Sequence, residues 1–286
     1  MKKRGIFKFV LVLLLFVIAV ALTSYPFIAN WVFENRTDSL VNQIEKEAEQ
    51  VDDTEKNQML KEAREYNDVI ASGKIQLKDP FADDILNKEA GDYNKLLCTT
   101  EDGVMGFVEI PSIDVRLPIY HGTSESVLEK GVGHLEGTSL PIGGESTHSV
   151  LTGHTGLSNA KLFTDLTALE QGDIFFIKVL GDTLAYRVDQ IEVVLPTELS
   201  SLYVEHGKDY CTLVTCTPYG VNTHRLLARG ERTDYEETAE NTEFFKAKKV
   251  ESKWMKEYQR ALIISLAFFA VCLVVLLIIR RIKTRR

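Results

Sequence analysis

The chain has 286 residues, 45% of them hydrophobic, and carries 33 Lys and Arg against 41 Asp and Glu, which permits one good-sized core with appendages. Nine of the basic residues lie at the two ends (Lys2, Lys3, Arg4, Lys8, Arg280, Arg281, Lys283, Arg285 and Arg286). All 41 acidic residues lie between them, so the middle holds 24 basic residues and a net charge of −17. So acidic a middle argues against nucleic acid as a partner, because phosphate contacts need clustered Lys and Arg.

In chain order, Phe9 to Ile28 is almost wholly apolar, broken only by Thr23, Ser24, Tyr25 and Pro26. It reads as an uncleaved anchor or as a signal peptide, Ala19-Val-Ala21 offering a small-residue cleavage site. We take residues 1–34 as this segment and 35–102 as a helical region followed by a loop. Leu40, Ile44, Ala48 and Val51 form one helical stripe; Met59, Ala63, Tyr66 and Ile70 form a second, after a break at Asp52-Asp-Thr54 where Asp53 or Thr54 serves as cap. Gly73 is a natural stop. Ile75 to Asp102 has little periodicity and reads as a loop.

From Val104 the pattern changes to short strands with turn residues between them: Gly106–Ile110, Val115–Tyr120, Ser149–Gly153, Ile174–Val179, Leu184–Val194, Tyr210–Cys216 and Arg225–Arg232. Seven or eight strands at this spacing predict one closed β-barrel or sandwich over residues 103–235. The Ser158–Leu169 stretch has room for a short helix. Residues 236–260 form a linker. Ala261 to Ile279 follows as nineteen residues with one hydroxyl, Ser265, long enough to span a bilayer and lacking the polar face of a core helix. Residues 280–286 are a basic tail. Basic clusters at both outer ends place both termini in the cytoplasm and the middle outside.

Chemistry concentrates in Thr212-Leu-Val-Thr-Cys216-Thr-Pro-Tyr-Gly-Val-Asn-Thr-His-Arg225. Cys216 ends a strand that Pro218 cannot continue, which exposes its side chain. Tyr219 to Asn222 then makes a turn, and Arg225, nine residues beyond the cysteine, opens the returning strand close to it. An arginine cannot lose its charge, so Arg225 can stabilise a thiolate or an oxyanion without acting as a base. His224, on the other face, is structural. Of the six histidines, His154 lies between Gly153 and Gly156 just beyond a strand, where a barrel rim would present it. Spacing alone leaves His121 and His134 beside it as alternatives; His148 sits at the strand's other end. A nucleophile, an acid/base and a fixed cation can run acyl transfer through a thioester. Cys211 and Cys216 point to opposite faces of their strand and cannot bridge each other, whereas a Cys98–Cys211 disulfide is open; Cys272 lies in the second apolar segment. No His/Cys/Asp spacing matches a metal site, and nothing implies a cofactor.

Thr212-Leu-Val-Thr-Cys216, the Thr-Gly-His context of His154, and Arg225 after Cys-Thr-Pro-Tyr-Gly-Val-Asn-Thr-His together resemble the signature of the sortases, cysteine transpeptidases of the Gram-positive cell surface. The resemblance covers roughly Val104 to Arg232. It implies an all-β core, an eight-stranded barrel with N-terminal helices and flanking transmembrane helices. Cys216 would be the nucleophile, His154 the acid that protonates the leaving amine, and Arg225 the oxyanion and substrate-positioning cation. The C-terminal membrane segment and the Tyr-Gly-Val-Asn-Thr-His-Arg run resemble the pilus-building class C, which carries a lid with an Asp-Pro-aromatic motif. Asp79, Pro80 and Phe81 fit that motif, with Asp79 pairing to Arg225 and Phe81 packing against the Cys216 sulfur. The partners so implied are pilins with LPxTG-like sorting signals and an acceptor lysine, together with the membrane. A Leu-Pro-x-Thr-Gly-like motif is missing from residues 240–260, and Leu195-Pro-Thr197 lies inside the β region, so the chain reads as enzyme rather than substrate. The rivals are a housekeeping sortase acting on a cell-wall precursor and a non-catalytic membrane-tethered β-domain.

Overall fold

Short apolar runs bounded by turn residues form the strands, and closing the sheet on itself leaves no unpaired edge. The computed structural model describes residues 2–73, 76–82, 93–98, 103–157, 159–235 and 253–285. Its eight strands are β1 (Val104–Ile110), β2 (Val115–His121), β3 (Val132–His134), β4 (Thr147–Thr152), β5 (Ile174–Val179), β6 (Asp182–Val194), β7 (Asp209–Thr217) and β8 (His224–Thr233). They form a closed barrel in the order β1-β2-β3-β4-β7-β8-β6-β5, with β5 pairing back onto β1. One continuous apolar cluster includes Met105, Ile119, Phe163, Phe175, Tyr186 and Leu213, all almost fully buried; side chains of this size contribute roughly 1.5–3 kcal/mol each when removed from water.

Seven strands lie where the short runs and turn residues predict them, with ends moved by at most two residues. The eighth, β3, has three residues flanked and interrupted by Gly131 and Gly133, too short to show alternation. Gly133 is required there. A Cβ at that position would collide with the Gly122 carbonyl oxygen and press on the Leu128 side chain, because the crossover between the parallel strands β2 and β3 lies directly on β3. That crossover holds a one-turn helix, α3 (Glu125–Leu128).

Two helices precede the barrel, α1 (Lys2–Gln50) and α2 (Asp53–Ala71). The cap of α2 is Asp52, whose side chain accepts from the Thr54 amide at 2.8 Å, rather than Asp53 or Thr54. A carboxylate placed one residue earlier reaches the free amides of the first turn, whereas Asp53 is already helical. Met59, Ala63, Tyr66 and Ile70 of α2 face the barrel. The buried Asn67 fixes the helix by donating to the Leu140 carbonyl (3.2 Å) and accepting from the Leu140 amide (2.7 Å). On α1 the buried stripe is Val41 and Ile44, with Leu40 only partly covered. Glu45 accepts from Arg116 (2.7 Å) and Lys178 (3.1 Å); burial pushes its carboxyl up, but these two cations outweigh that and hold it below the usual range.

The Cys98–Cys211 disulfide left open by the sequence is not formed, and both are free thiols. Cys211 sits in the apolar core, while Cys98 donates to the Asn94 carbonyl in the short turn that begins at Tyr93. Residues 33–250 form one compact unit, and residues 1–32 with 251–286 form another. The helix α4 (Lys253–Arg285) belongs to the second unit. Two helical spans, Val10–Gln50 and Tyr258–Val275, are long and apolar enough to cross a membrane. Most of the linker assigned to residues 236–260 lies outside the described residues.

Candidate active site

Strand directions put the candidate residues on one rim. β4 and β7 run parallel, with Thr152 opposite Val214, so the loop after β4 and the end of β7 emerge together. The Gly153 amide donates to the Val214 carbonyl (3.0 Å), and the Thr215 hydroxyl donates to the Gly153 carbonyl (2.7 Å). These two bonds carry the register one step past the strand and fix where His154 leaves the sheet. Gly153 lies flat against the Phe163 ring, where a Cβ would collide. β8 runs antiparallel to β7, and Cys216 is the direct cross-strand partner of Arg225. The turn between them closes with Val221 and Asn222 amides donating to the Pro218 carbonyl at 3.0 Å. His154, Cys216 and Arg225 line one cavity of about 540 Å³, together with Phe81, Thr123, Glu125 and Asn222.

The guanidinium of Arg225 makes four hydrogen bonds. Its Nε and Nη2 donate to the two oxygens of Asp79 at 2.8 and 2.7 Å, a fork-to-fork pairing that holds the two planes together. Nη1 donates to the Asn222 and His224 carbonyls, each at 3.1 Å. Burial pulls the Arg225 pKa down, but Asp79 and the Cys216 sulfur more than restore it, so the net shift is upward. The Phe81 ring lies between two of the candidate residues. Its centre is 4.9 Å from the Arg225 guanidinium carbon and 5.7 Å from the His154 ring. Those are its ring contacts; Cys216 shares the cavity wall with it. Pro80 is buried beside it. Leu77 and Phe81 pack on a small cluster of Leu135, Val150, Leu202, Val214 and Leu227 outside the main core, and the Leu77 amide donates to the Tyr203 hydroxyl. Segment 76–82 is thus seated by apolar contact and locked by one ion pair.

Cys216 is 7% exposed. Burial pushes its thiol up; the Arg225 charge lowers it and the Asp79 charge raises it, leaving the thiol above its ordinary value. In this arrangement the sulfur is held protonated and covered, and the cation that would favour the thiolate is neutralised by Asp79.

The other histidines do different work. His134 is fully buried, and burial lowers its pKa to about 4. Its Nε2 donates to the Ser139 carbonyl (2.9 Å), so Nδ1 accepts from the Tyr93 hydroxyl (2.8 Å). His148 is likewise held near 4 by burial, between the Tyr203 carbonyl and the Thr212 hydroxyl. His121 spans the Gly103 and Leu96 carbonyls, and the His224 ring meets the neighbouring Thr223 hydroxyl. None of these faces the cavity. Glu125, which sequence reasoning did not single out, does: its Oε2 lies 3.3 Å from His154 Nε2. Its one sequence signal is the Thr-Ser-Glu-Ser run, a helix start too short to register as an element. Among the described residues no group of three or more His, Cys, Asp or Glu side chains gathers as a metal site.

Comparison with known proteins gives a consistent result. A Sortase domain family model matches residues 108–233. Sortase A of Staphylococcus aureus (strain NCTC 8325 / PS 47) is 33% identical over 124 residues, 42% of this chain and 58% of that protein, so the chain spans less than two thirds of that relative. Sortase D of Bacillus subtilis (strain 168) is 32% identical over 143 residues, 49% of this chain and 69% of that protein. The solved structure described as Sortase C1 of GBS Pilus Island 1 superposes with a TM-score of 0.63 at 46% identity, covering 70% of this chain and 93% of that one.

Proposed function

The chain belongs to the sortase family, and from that premise we propose that it is a membrane-anchored, pilus-associated transpeptidase. It cleaves an LPxTG-like sorting signal of a pilin subunit through a thioester on Cys216 and transfers the acyl group to a lysine amine of another pilin. The observation that carries this reading is the bidentate Asp79–Arg225 pair, which ties segment 76–82 to the cavity shared by His154, Cys216 and Arg225. The pilus named for the Sortase C1 structure adds support.

The chemistry follows from the rim geometry. With Asp79 withdrawn, Arg225 stabilises the Cys216 thiolate, which attacks the carbonyl carbon of the Thr–Gly peptide bond. The developing oxyanion takes the place of the Asp79 carboxylate on the guanidinium. The C–N bond then breaks as His154 delivers its proton to the departing glycine nitrogen, leaving a thioester on the sulfur and a neutral imidazole. That imidazole accepts a proton from the incoming lysine amine as its nitrogen attacks the thioester carbonyl. The C–S bond breaks, an isopeptide bond forms, and thiolate and imidazolium are restored. The terminal apolar helices anchor the enzyme, with the barrel on the outer face and the basic ends in the cytoplasm.

Purified full-length enzyme offered a sorting-signal peptide with either a lysine-bearing pilin or a wall-precursor amine mimic separates the two acceptors. Mass spectrometry is expected to find the peptide joined to the pilin lysine. Joining to the wall mimic alone would overturn the pilin assignment and favour a housekeeping role.

A further inference from the structure

When segment 76–82 leaves the cavity, His154 loses the Phe81 ring that lies against it. Among the described residues one side-chain partner then remains, the Glu125 carboxylate on Nε2. The position of Glu125 is built. Thr123 and Leu128, on either side of it, are 5% and 1% exposed. The crossover that carries it rests on Gly133, where any side chain would displace it. The Gly122 amide at its start donates to the Tyr93 hydroxyl (3.1 Å), which is itself anchored on the buried His134. The backbone beneath Glu125 is therefore fixed, although the side chain is 71% exposed.

From this geometry we infer that Glu125 is a positioning residue for His154: it holds Nε2–H, so that Nδ1 is the nitrogen that carries the proton to and from the reacting amines. The inference rests on the proposed role of His154 and adds to it the choice of tautomer. A carboxylate accepts only, so a neutral His154 bonded to it must place its proton on Nε2 and leave Nδ1 as the basic nitrogen. The other charged or titratable groups on this cavity are Cys216 on β7 and Arg225 on β8, with Asp79 reaching it through Arg225. Glu125 is the anion placed directly on the imidazole.

The test compares full-length wild type with Glu125→Gln and Glu125→Ala, measuring the rate of thioester formation with an LPxTG peptide. An exposed pair of this kind supports a modest effect. Alanine is expected to slow the step by about two- to fivefold. Glutamine, which keeps an acceptor oxygen for Nε2–H, should recover part of the rate. A second readout needs no turnover: the nitrogen NMR spectrum of [15N]histidine-labelled protein, with His154 assigned by its loss in His154→Ala. It should show the Nε2–H tautomer in wild type and a mixture in Glu125→Ala. If wild type forms the thioester but both variants keep its rate, or if the His154 tautomer is the same with and without Glu125, the inference is wrong. If wild type forms no thioester, the proposed function fails, and the tautomer comparison alone decides the role of Glu125.

Discussion

Replacing Arg225 by alanine is expected to slow thioester formation by about 10²- to 10³-fold, the usual effect of removing one oxyanion donor. Arg225 stands directly across from Cys216 in the β7–β8 register, and its Nε and Nη2 both point at a carboxylate. Those donors are already oriented for an anion, and in the resting arrangement the anion is Asp79. Substituting Asp79 removes the same ion pair but leaves the cation in place. The two variants therefore separate a catalytic arginine from a structural one. In a rapid-quench assay with sorting-signal peptide, Asp79→Ala should keep or raise the rate while Arg225→Ala loses it. Equal losses in both would mean that the pair supports the fold rather than the chemistry. Arg225→Lys should fall between wild type and alanine, since it keeps the charge but not the planar fork.

The second large effect concerns access to the sulfur. Substituting Asp79 and Phe81 together by alanine should speed labelling of Cys216 by a thiosulfonate about tenfold or more. Two charge-assisted bonds to Arg225 are lost, each worth roughly 1.5–3 kcal/mol net when well formed, together with the ring that lies against His154 and Arg225. The sign of the accompanying pH change follows from the causes of the thiol's raised pKa. Burial and the Asp79 charge push it up, and Arg225 pulls it down. The double variant relieves both upward causes and frees the downward one, so the thiolate forms at lower pH and the midpoint of the labelling curve moves toward acid. Unchanged labelling rates would rule out segment 76–82 as a cover for the site.

The barrel was legible in the sequence because seven of its strands are runs of six or more residues, rich in apolar side chains and bounded by turn residues. β3 was hidden for the opposite reason. It has three residues, and Gly133 is set by the crossover packed on it rather than by strand propensity. The α2 cap shifted by one residue because Asp52 and Asp53 are equivalent in composition, and only backbone position decides which reaches the Thr54 amide. Cys98 and Cys211 offered a disulfide on paper, but Cys211 belongs to the interior of a closed barrel, which spacing along the chain does not convey. The meeting of Cys216 with Arg225 follows from a turn and a register, both local, so it could be read in advance. Glu125 could not. It reaches His154 through a parallel crossover of β2 onto β3, and parallel pairing leaves no short-range mark. His121 and His134 could not be set aside from spacing either; their burial and their bonds to carbonyls separate them from His154.

The most direct measurement is the intact mass of full-length enzyme quenched in acid after mixing with an LPxTG peptide in the absence of amine acceptor. The account predicts a mass increase equal to the peptide up to and including its threonine, mapped to Cys216, released by hydroxylamine and missing from Cys216→Ala. Cleavage of the peptide by Cys216→Ala, or an acyl adduct on any other residue, would contradict it.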